Sequence, residues 1–401
     1  MNLSWKNRLG VVTGNTLEYY DIAVFAAISP FIINILSTNG YSDAGMLVWG
    51  MFGLRFLLRP FGGLIIGKIA DHNGKKTALI ITSSLTGLST LSMALLPLNS
   101  EYIAFYLLAL QMVQAFSFGG EFPTIINYLM NNSPKVQHAR TGSMIVASSI
   151  AGVILSLLIV SILQTILSEQ EMQSYGWRIP LLIGALNIVV SFWFRFKLPD
   201  EVNPSVKSSA RIKANTLWVK LFSISVTGGA VFYIQNLASS IISKSTNIPY
   251  FSLLNSTFLF VLVIFAGYVT DQLSTTRQTY IKGCLAGVVL YFPLYWLLTN
   301  SPLTVSIMSM GAITLISAFI LTNLASVLAD VAKNRTVQLG ISYNIALSIF
   351  GGLTPLIVEI STSYSASLIG LYAAACTLPG LCATYLHSQQ STPIGRIYSA
   401  N

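Results

Sequence analysis

A chain of 401 residues that is 53% hydrophobic and 9% charged, with a mean hydropathy of +0.68, is too apolar for a water-soluble globule, in which about a quarter of residues are charged. The net charge of +9 could suggest a nucleic-acid partner, but the basic residues sit in short polar breaks between apolar runs able to cross a hydrocarbon core of about 30 Å. What remains is an all-α polytopic membrane protein that works in a lipid bilayer and has no nucleic-acid partner.

The first apolar run is predicted near 9–36, behind a charged N-terminus without a small-residue cleavage site, so it reads as a retained helix rather than a signal peptide. Runs near 45–70, 77–97, 102–131, 141–167 and 178–198 follow. The longest polar segment, 199–215, is rich in Pro, Ser and basic residues and reads as a cytoplasmic linker. Six more runs lie near 216–242, 249–272, 279–299, 302–331, 336–361 and 364–387. The expectation is twelve transmembrane helices in two pseudo-symmetric six-helix halves, 1–198 and 216–401. Lys6, Arg8, Lys68, Lys75, Lys135, Arg140, Arg195, Lys197, Lys213, Arg277, Lys282 and Arg335 all fall on one side of this topology, and only Arg178 and Lys244 on the other. That asymmetry places the one side, with both termini, in the cytoplasm.

Within the spans, the charges concentrate in the first half. Glu18 and Asp21 lie roughly 13–18 Å into the first helix at about 1.5 Å per residue, and Arg59, Arg55 and Glu121 reach similar depths on the second and fourth. Ionisable groups at that depth face the bundle interior and mark functional sites by default. The carboxylates outnumber Arg55 and Arg59, so Glu121 is the leading candidate proton carrier, followed by Asp21 and Glu18. The two arginines suit a substrate carboxylate, which a guanidinium clamps with parallel hydrogen bonds. Tyr19 and Tyr20 can supply an aromatic wall for a quaternary ammonium. The second half offers mostly neutral cavity candidates, namely Tyr233, Asn236, Asn323, Tyr343 and Asn344. Cys284, Cys376 and Cys382 read as small apolar-helix residues, and His72, His138 and His387 are too scattered for a metal site, so neither a cofactor nor a metal is expected. There is also no nucleophile motif to suggest an enzyme.

The turn Gly67-x-x-x-Asp71-x-x-Gly74-Lys75-Lys76 resembles the signature loop between helices 2 and 3 of major facilitator superfamily transporters, and Gly267-x-x-x-Asp271 echoes it in the second half. With Gly14-Asn15-x-x-Glu18-Tyr19-Tyr20-Asp21, Arg59-Pro60-x-Gly62-Gly63, Gln114-x-Phe116-x-x-Gly119-Gly120-Glu121 and Gly176-Trp177-Arg178-Ile179-Pro180, the chain is similar to the metabolite:proton symporter family within it. Its members include proline/betaine, α-ketoglutarate, shikimate and citrate transporters. The resemblance implies a monomer in a bacterial inner membrane that imports a small carboxylate or zwitterion with protons by alternating access. It further implies a gating group of Gly67, Asp71, Gly74, Lys75, Arg140, Asp271, Asp330 and Arg335, in which Asp71 locks the cytoplasmic side. His72 and Gln272 stand where the family carries basic residues, and the turn before Arg335 lacks the family's Pro-Thr. The competing readings are an exporter, an importer of a larger carboxylate such as a siderophore, and a non-transporting transceptor.

Overall fold

The computed structural model describes residues 3–97, 102–199 and 214–391. In chain order its helices are α1 Trp5–Thr38, α2 Ala44–Asn73, α3 Lys75–Ala94, α4 Ile103–Asn131, α5 His138–Ile166, α6 Glu169–Glu171, α7 Arg178–Ala185, α8 Asn187–Phe196, α9 Ala214–Asn236, α10 Ser239–Ile242, α11 Phe251–Leu273, α12 Thr276–Asn300, α13 Leu303–Ala332, α14 Thr336–Ala346, α15 Gly352–Tyr364 and α16 Leu368–Ser391. The described residues contain no strand. In hydrocarbon every backbone group must be satisfied within its own segment, which leaves the helix as the spanning form for runs of this composition. The polar ends supply the caps. Ser4 accepts from the Asn7 amide, Thr275 from the Gln278 amide, and Ser168 and Glu171 cap one another reciprocally.

Eleven stretches of the described residues are long and apolar enough to cross a bilayer, with α14 and α15 counted as one. The expected sixth span is the exception. It is divided into α7 and α8, and the chain tightens between them where the Leu186 amide donates to the Ile183 carbonyl at 3.1 Å. The expected seventh span is likewise shorter than 216–242, because α9 ends at Asn236 and a separate turn, α10, follows. Most of the expected linker, 200–213, lies outside the described residues. The eleventh span contains a wider π turn, Leu347–Gly351, four residues before Pro355.

Large apolar side chains such as Leu57, Phe105, Val261 and Trp296 are exposed along the outer faces, where lipid rather than water is the solvent. Inside, α2 packs on α4, α1 on α5, α12 on α13 and α16, and α9 on α16. Two further pairings join the first six spans to the last six, α2 with α14 and α5 with α11. Both begin near the turns at residues 74, 132–137, 274–275 and 333–335, which lie together on one face (the basic face), and α2 stays against α14 inward to Gly63 and Gly340.

Candidate functional site

Two layers of polar residues sit between the spans. The first layer is on the basic face, where the repeated Gly-x-x-x-Asp does the same local work twice. Asp71, at the end of α2, accepts from the backbone amides of Thr336 and Val337 at 3.1 and 3.2 Å, at the first turn of α14. Asp271, at the end of α11, accepts from the amides of Ala139 and Arg140 at 3.0 and 3.1 Å, at the first turn of α5, and from Arg140 Nε at 2.9 Å. Each carboxylate thus meets the positive end of a helix from the opposite set of six spans. The glycines permit the approach: a Cβ at Gly67 would stand 3.0 Å from Val337 Cα, and one at Gly267 2.5 Å from Ser143 Oγ. Asn131 adds a bond to Asn334 at 2.8 Å, and Asn127 one to Thr336 at 3.1 Å.

Gly74 takes φ +95 between α2 and α3, a left-handed conformation that favours glycine, and Lys75 beside it is buried. Asp330 is ion-paired with Arg277, with His387 Nε2 at 3.8 Å, all within the last six spans. Arg335 precedes α14 and enters no ion pair among the described residues. A cavity of about 280 Å³ opens on this face, lined in part by Lys135, His138, Arg277 and Asp330.

The second layer is deeper. Glu18, Asp21, Arg55, Arg59 and Glu121 are all buried, so the structure gathers the charges read from the sequence into one interior. It also adds a sixth. Arg195 was expected among the basic residues at the cytoplasmic end of its span; instead it is 0% exposed, ion-paired with Glu121, and donates to the Leu79 carbonyl at 2.6 Å. The physical reason is reach. Arg195 stands near the end of α8, but a guanidinium on three methylenes extends inward when a carboxylate waits there and lipid is the alternative. With Arg195 counted, the three carboxylates no longer outnumber the arginines.

Glu121 is therefore the compensated carboxylate. Glu18 is different: its carboxyl faces Glu121, Arg195 and Asp21, and neither of its oxygens accepts a hydrogen bond from a donor among the described residues. Asp21 accepts from Thr90 Oγ1 at 3.0 Å, Thr90 accepts from Gln114 at 2.7 Å, and Arg55 is the cation facing Asp21.

Arg59 points to the seam between the two sets of spans. Its guanidinium lies over the rings of Phe56 and Phe118, 5.0 and 4.9 Å from their centroids, and donates to the Tyr233 hydroxyl at 3.2 Å. Among the described residues it has no ion pair. Tyr19 joins this wall, with Phe118, Phe122 and Phe232 at 5.5, 6.3 and 5.7 Å, and Tyr343 stacks on Phe122 at 5.0 Å. Phe118, Phe122 and Phe232 did not stand out in the sequence, where apolar aromatics in apolar helices carry no distinguishing signal.

Other candidates are engaged differently. Tyr20 is a neighbour of Tyr19 but points about 100° away around the helix, and its hydroxyl donates to the Pro180 carbonyl at 2.9 Å. The amide of Asn236 donates to Phe232 O and that of Asn323 to Phe319 O, each within its own helix. Asn344 spans the seam, donating to the carbonyls of Gly119 and Gly340 at 2.6 and 2.7 Å. The amide nitrogens of all three are thus held by backbone carbonyls, with Asn323 also reaching Thr270 Oγ1 at 3.5 Å, whereas the Oδ1 atoms of Asn236 and Asn323 have no hydrogen-bond partner among the described residues.

The major facilitator superfamily model matches residues 11–355. The chain is 27% identical over 369 residues to the alpha-ketoglutarate permease of Escherichia coli K12, covering 86% of this chain and 84% of the permease. It is equally 27% identical over 405 residues to a putative proline/betaine transporter of Staphylococcus aureus COL, covering 93% and 86%. An ectoine/proline transporter of Corynebacterium glutamicum is 24% identical, covering 87% of this chain and 77% of the transporter. Among solved structures, the proton:xylose symporter XylE bound to 6-bromo-6-deoxy-D-glucose superposes with a TM-score of 0.78 at 13% identity, covering 96% of this chain and 95% of that one. The family match over most of the chain makes this protein a member of the major facilitator superfamily of membrane transporters.

Proposed function

We propose that this secondary transporter imports a small organic acid or zwitterionic metabolite together with protons, by alternating access across a bacterial cytoplasmic membrane. One observation carries the reading. Arg59 is a buried cation at the seam, held by rings and a hydroxyl with no carboxylate partner among the described residues. A guanidinium removed from water without a counter-ion is costly, and a substrate carboxylate supplies the missing charge. Tyr19, Tyr233, Phe118 and Tyr343 offer apolar and hydroxyl surface to the rest of a small ligand. Relatives named for α-ketoglutarate, proline/betaine and ectoine/proline all point to carboxylate-bearing substrates.

In this reading the chain moves as two six-helix halves joined through 199–215, with the substrate at their interface. Asp71 and Asp271 act as paired latches on the cytoplasmic side. With both capping the facing helices, the site is sealed from the cytoplasm and opens to the other side. Glu18, Asp21 and Glu121 form the proton-coupling set in the same buried layer as Arg59.

The test uses proteoliposomes offered α-ketoglutarate, proline, betaine, citrate and shikimate in turn, with external pH recorded. One of these compounds alkalinises the medium on addition, and Arg59→Gln abolishes the response. Alkalinisation that persists in Arg59→Gln overturns the substrate site, and silence across the panel with folded protein overturns the import reading.

A further inference from the structure

The six charges of the deep layer are not evenly distributed. Asp21 faces Arg55, Arg59 stands alone at the seam, and Glu18 and Glu121 share the single cation Arg195. Glu18 and Glu121 come from different helices, α1 and α4, and Arg195 from a third, α8. All three are 0% exposed. The groups facing Glu18 are Glu121 from α4, Arg195 from α8 and Asp21 from its own helix, while Thr82 of α3 faces Glu121. Local neutrality therefore fails by one negative charge at Glu18–Glu121 and by one positive charge at Arg59. Summed over the interior the two cancel, and Tyr19 interacts electrostatically with both Arg59 and Glu18.

We propose that Arg195 holds Glu121 permanently ionised, and that Glu18 is the residue that takes up a single proton when a substrate carboxylate reaches Arg59. This rests on the proton-coupled reading above and assigns its carrier. The balance is simple. Before binding, three carboxylates face three guanidinium groups. A substrate carboxylate on Arg59 makes four against three, and the excess negative charge in a low-dielectric interior is removed by one proton adding to Glu18. The proton comes from water on the side to which the site is open and leaves to water on the other side when the substrate carboxylate leaves Arg59. Two facing carboxyls, one of them ion-paired with a guanidinium, titrate as a unit, so the dyad carries one proton rather than two.

The position of Arg195 is itself built. A Cβ at Gly14 would stand 2.2 Å from its guanidinium, so the absence of a side chain at Gly14 on α1 creates the space in which Arg195 lies. The site is also tied to the seam. Glu121 follows Gly119, whose carbonyl accepts from Asn344 of α14, and a Cβ at Gly119 would stand 2.0 Å from the Arg59 carbonyl. A shift of α14 against α4 therefore reaches both the substrate cation and the dyad. Arg195 is a positioning residue here, and Glu18 the proton-bearing one.

The experiment measures protons taken up per substrate in proteoliposomes, alongside substrate exchange, which needs no net proton movement. Wild type takes up one proton per substrate carboxylate bound at Arg59. Glu18→Gln loses net proton uptake while substrate exchange continues. Arg195→Gln alone leaves both carboxyls uncompensated and loses transport. The doubly neutralised Glu121→Gln/Arg195→Gln protein recovers proton-coupled uptake, because Glu18 is intact, whereas a Glu121 that carried the proton itself predicts substrate exchange without proton uptake in this variant. Proton uptake that survives in Glu18→Gln, or that is absent from the double variant while exchange persists, overturns the assignment. Wild type that exchanges substrate without moving protons overturns the proton-coupled reading itself, and the two failures are thereby told apart.

Discussion

Arg195 shows how far one side chain can change the chemistry of a bundle. Read from the sequence, it is the basic residue of Phe-Arg-Phe-Lys at the end of a span, and such residues ordinarily stay in the headgroups. The rule counts positions along the chain, whereas the structure decides by which partner a long side chain can reach. Glu121 provides that partner, and Gly14 provides the space. Neither feature is visible until α1, α4 and α8 are brought together. Tyr19 and Tyr20 teach the converse lesson: adjacent residues of like chemistry are separated by their helix angle, one into the aromatic wall and one toward Pro180. Removing one member of a buried ion pair leaves an uncompensated charge, which costs about 3–5 kcal/mol. Arg195→Met is therefore expected to lower the thermal unfolding temperature in detergent sharply. Adding Glu121→Leu to it returns most of the loss; no return would show that the pair is not the source of the stability.

Most helices were legible in the sequence because their period and length are set by the bilayer. The ends of α2, α4, α11, α12 and α13 fall within a few residues of the expected spans. The breaks were not legible. Nothing in Leu186 or in Leu347–Gly351 announces that α7 gives way to α8 or that a π turn interrupts the eleventh span. That turn lies against the site: Ser348 donates to the Phe56 carbonyl at 2.5 Å, and a Cβ at Gly351 would stand 2.9 Å from the Tyr233 ring. The repeated Gly-x-x-x-Asp was legible as a pattern and its geometry as a helix cap was not, because the cap joins residues more than a hundred positions apart. Loss of a charged N-cap costs about 1 kcal/mol, enough to move a two-state equilibrium roughly fivefold. In a chain with Cys284, Cys376 and Cys382 replaced, Asn131→Cys and Asn334→Cys are expected to cross-link readily across the basic face. Asp71→Asn is expected to reduce the rate of that cross-linking severalfold, and an unchanged rate would remove Asp71 from the latch.

At the scale of the whole molecule, polar function is divided between the two sets of spans. The first six carry every buried charge of the deep layer, and the last six contribute Tyr233, Tyr343 and neutral amides. Of the contacts between the sets, Asp71 with α14, Asp271 with α5 and Asn131 with Asn334 gather on the basic face, while Arg59 with Tyr233 and Asn344 with Gly119 lie deeper. A rocking motion of one set against the other has to break both caps together, and it moves α14 against Gly119 and so against the charged layer. On the proposed reading, gate and charge are thus mechanically joined, which is the physical requirement for coupling transport to a proton gradient. The most direct measurement is accumulation of a labelled substrate in proteoliposomes under an imposed inward proton gradient. The account predicts accumulation above the external concentration, collapsing to equality when a protonophore is added. Equilibration alone, unaffected by the gradient or the protonophore, would contradict it.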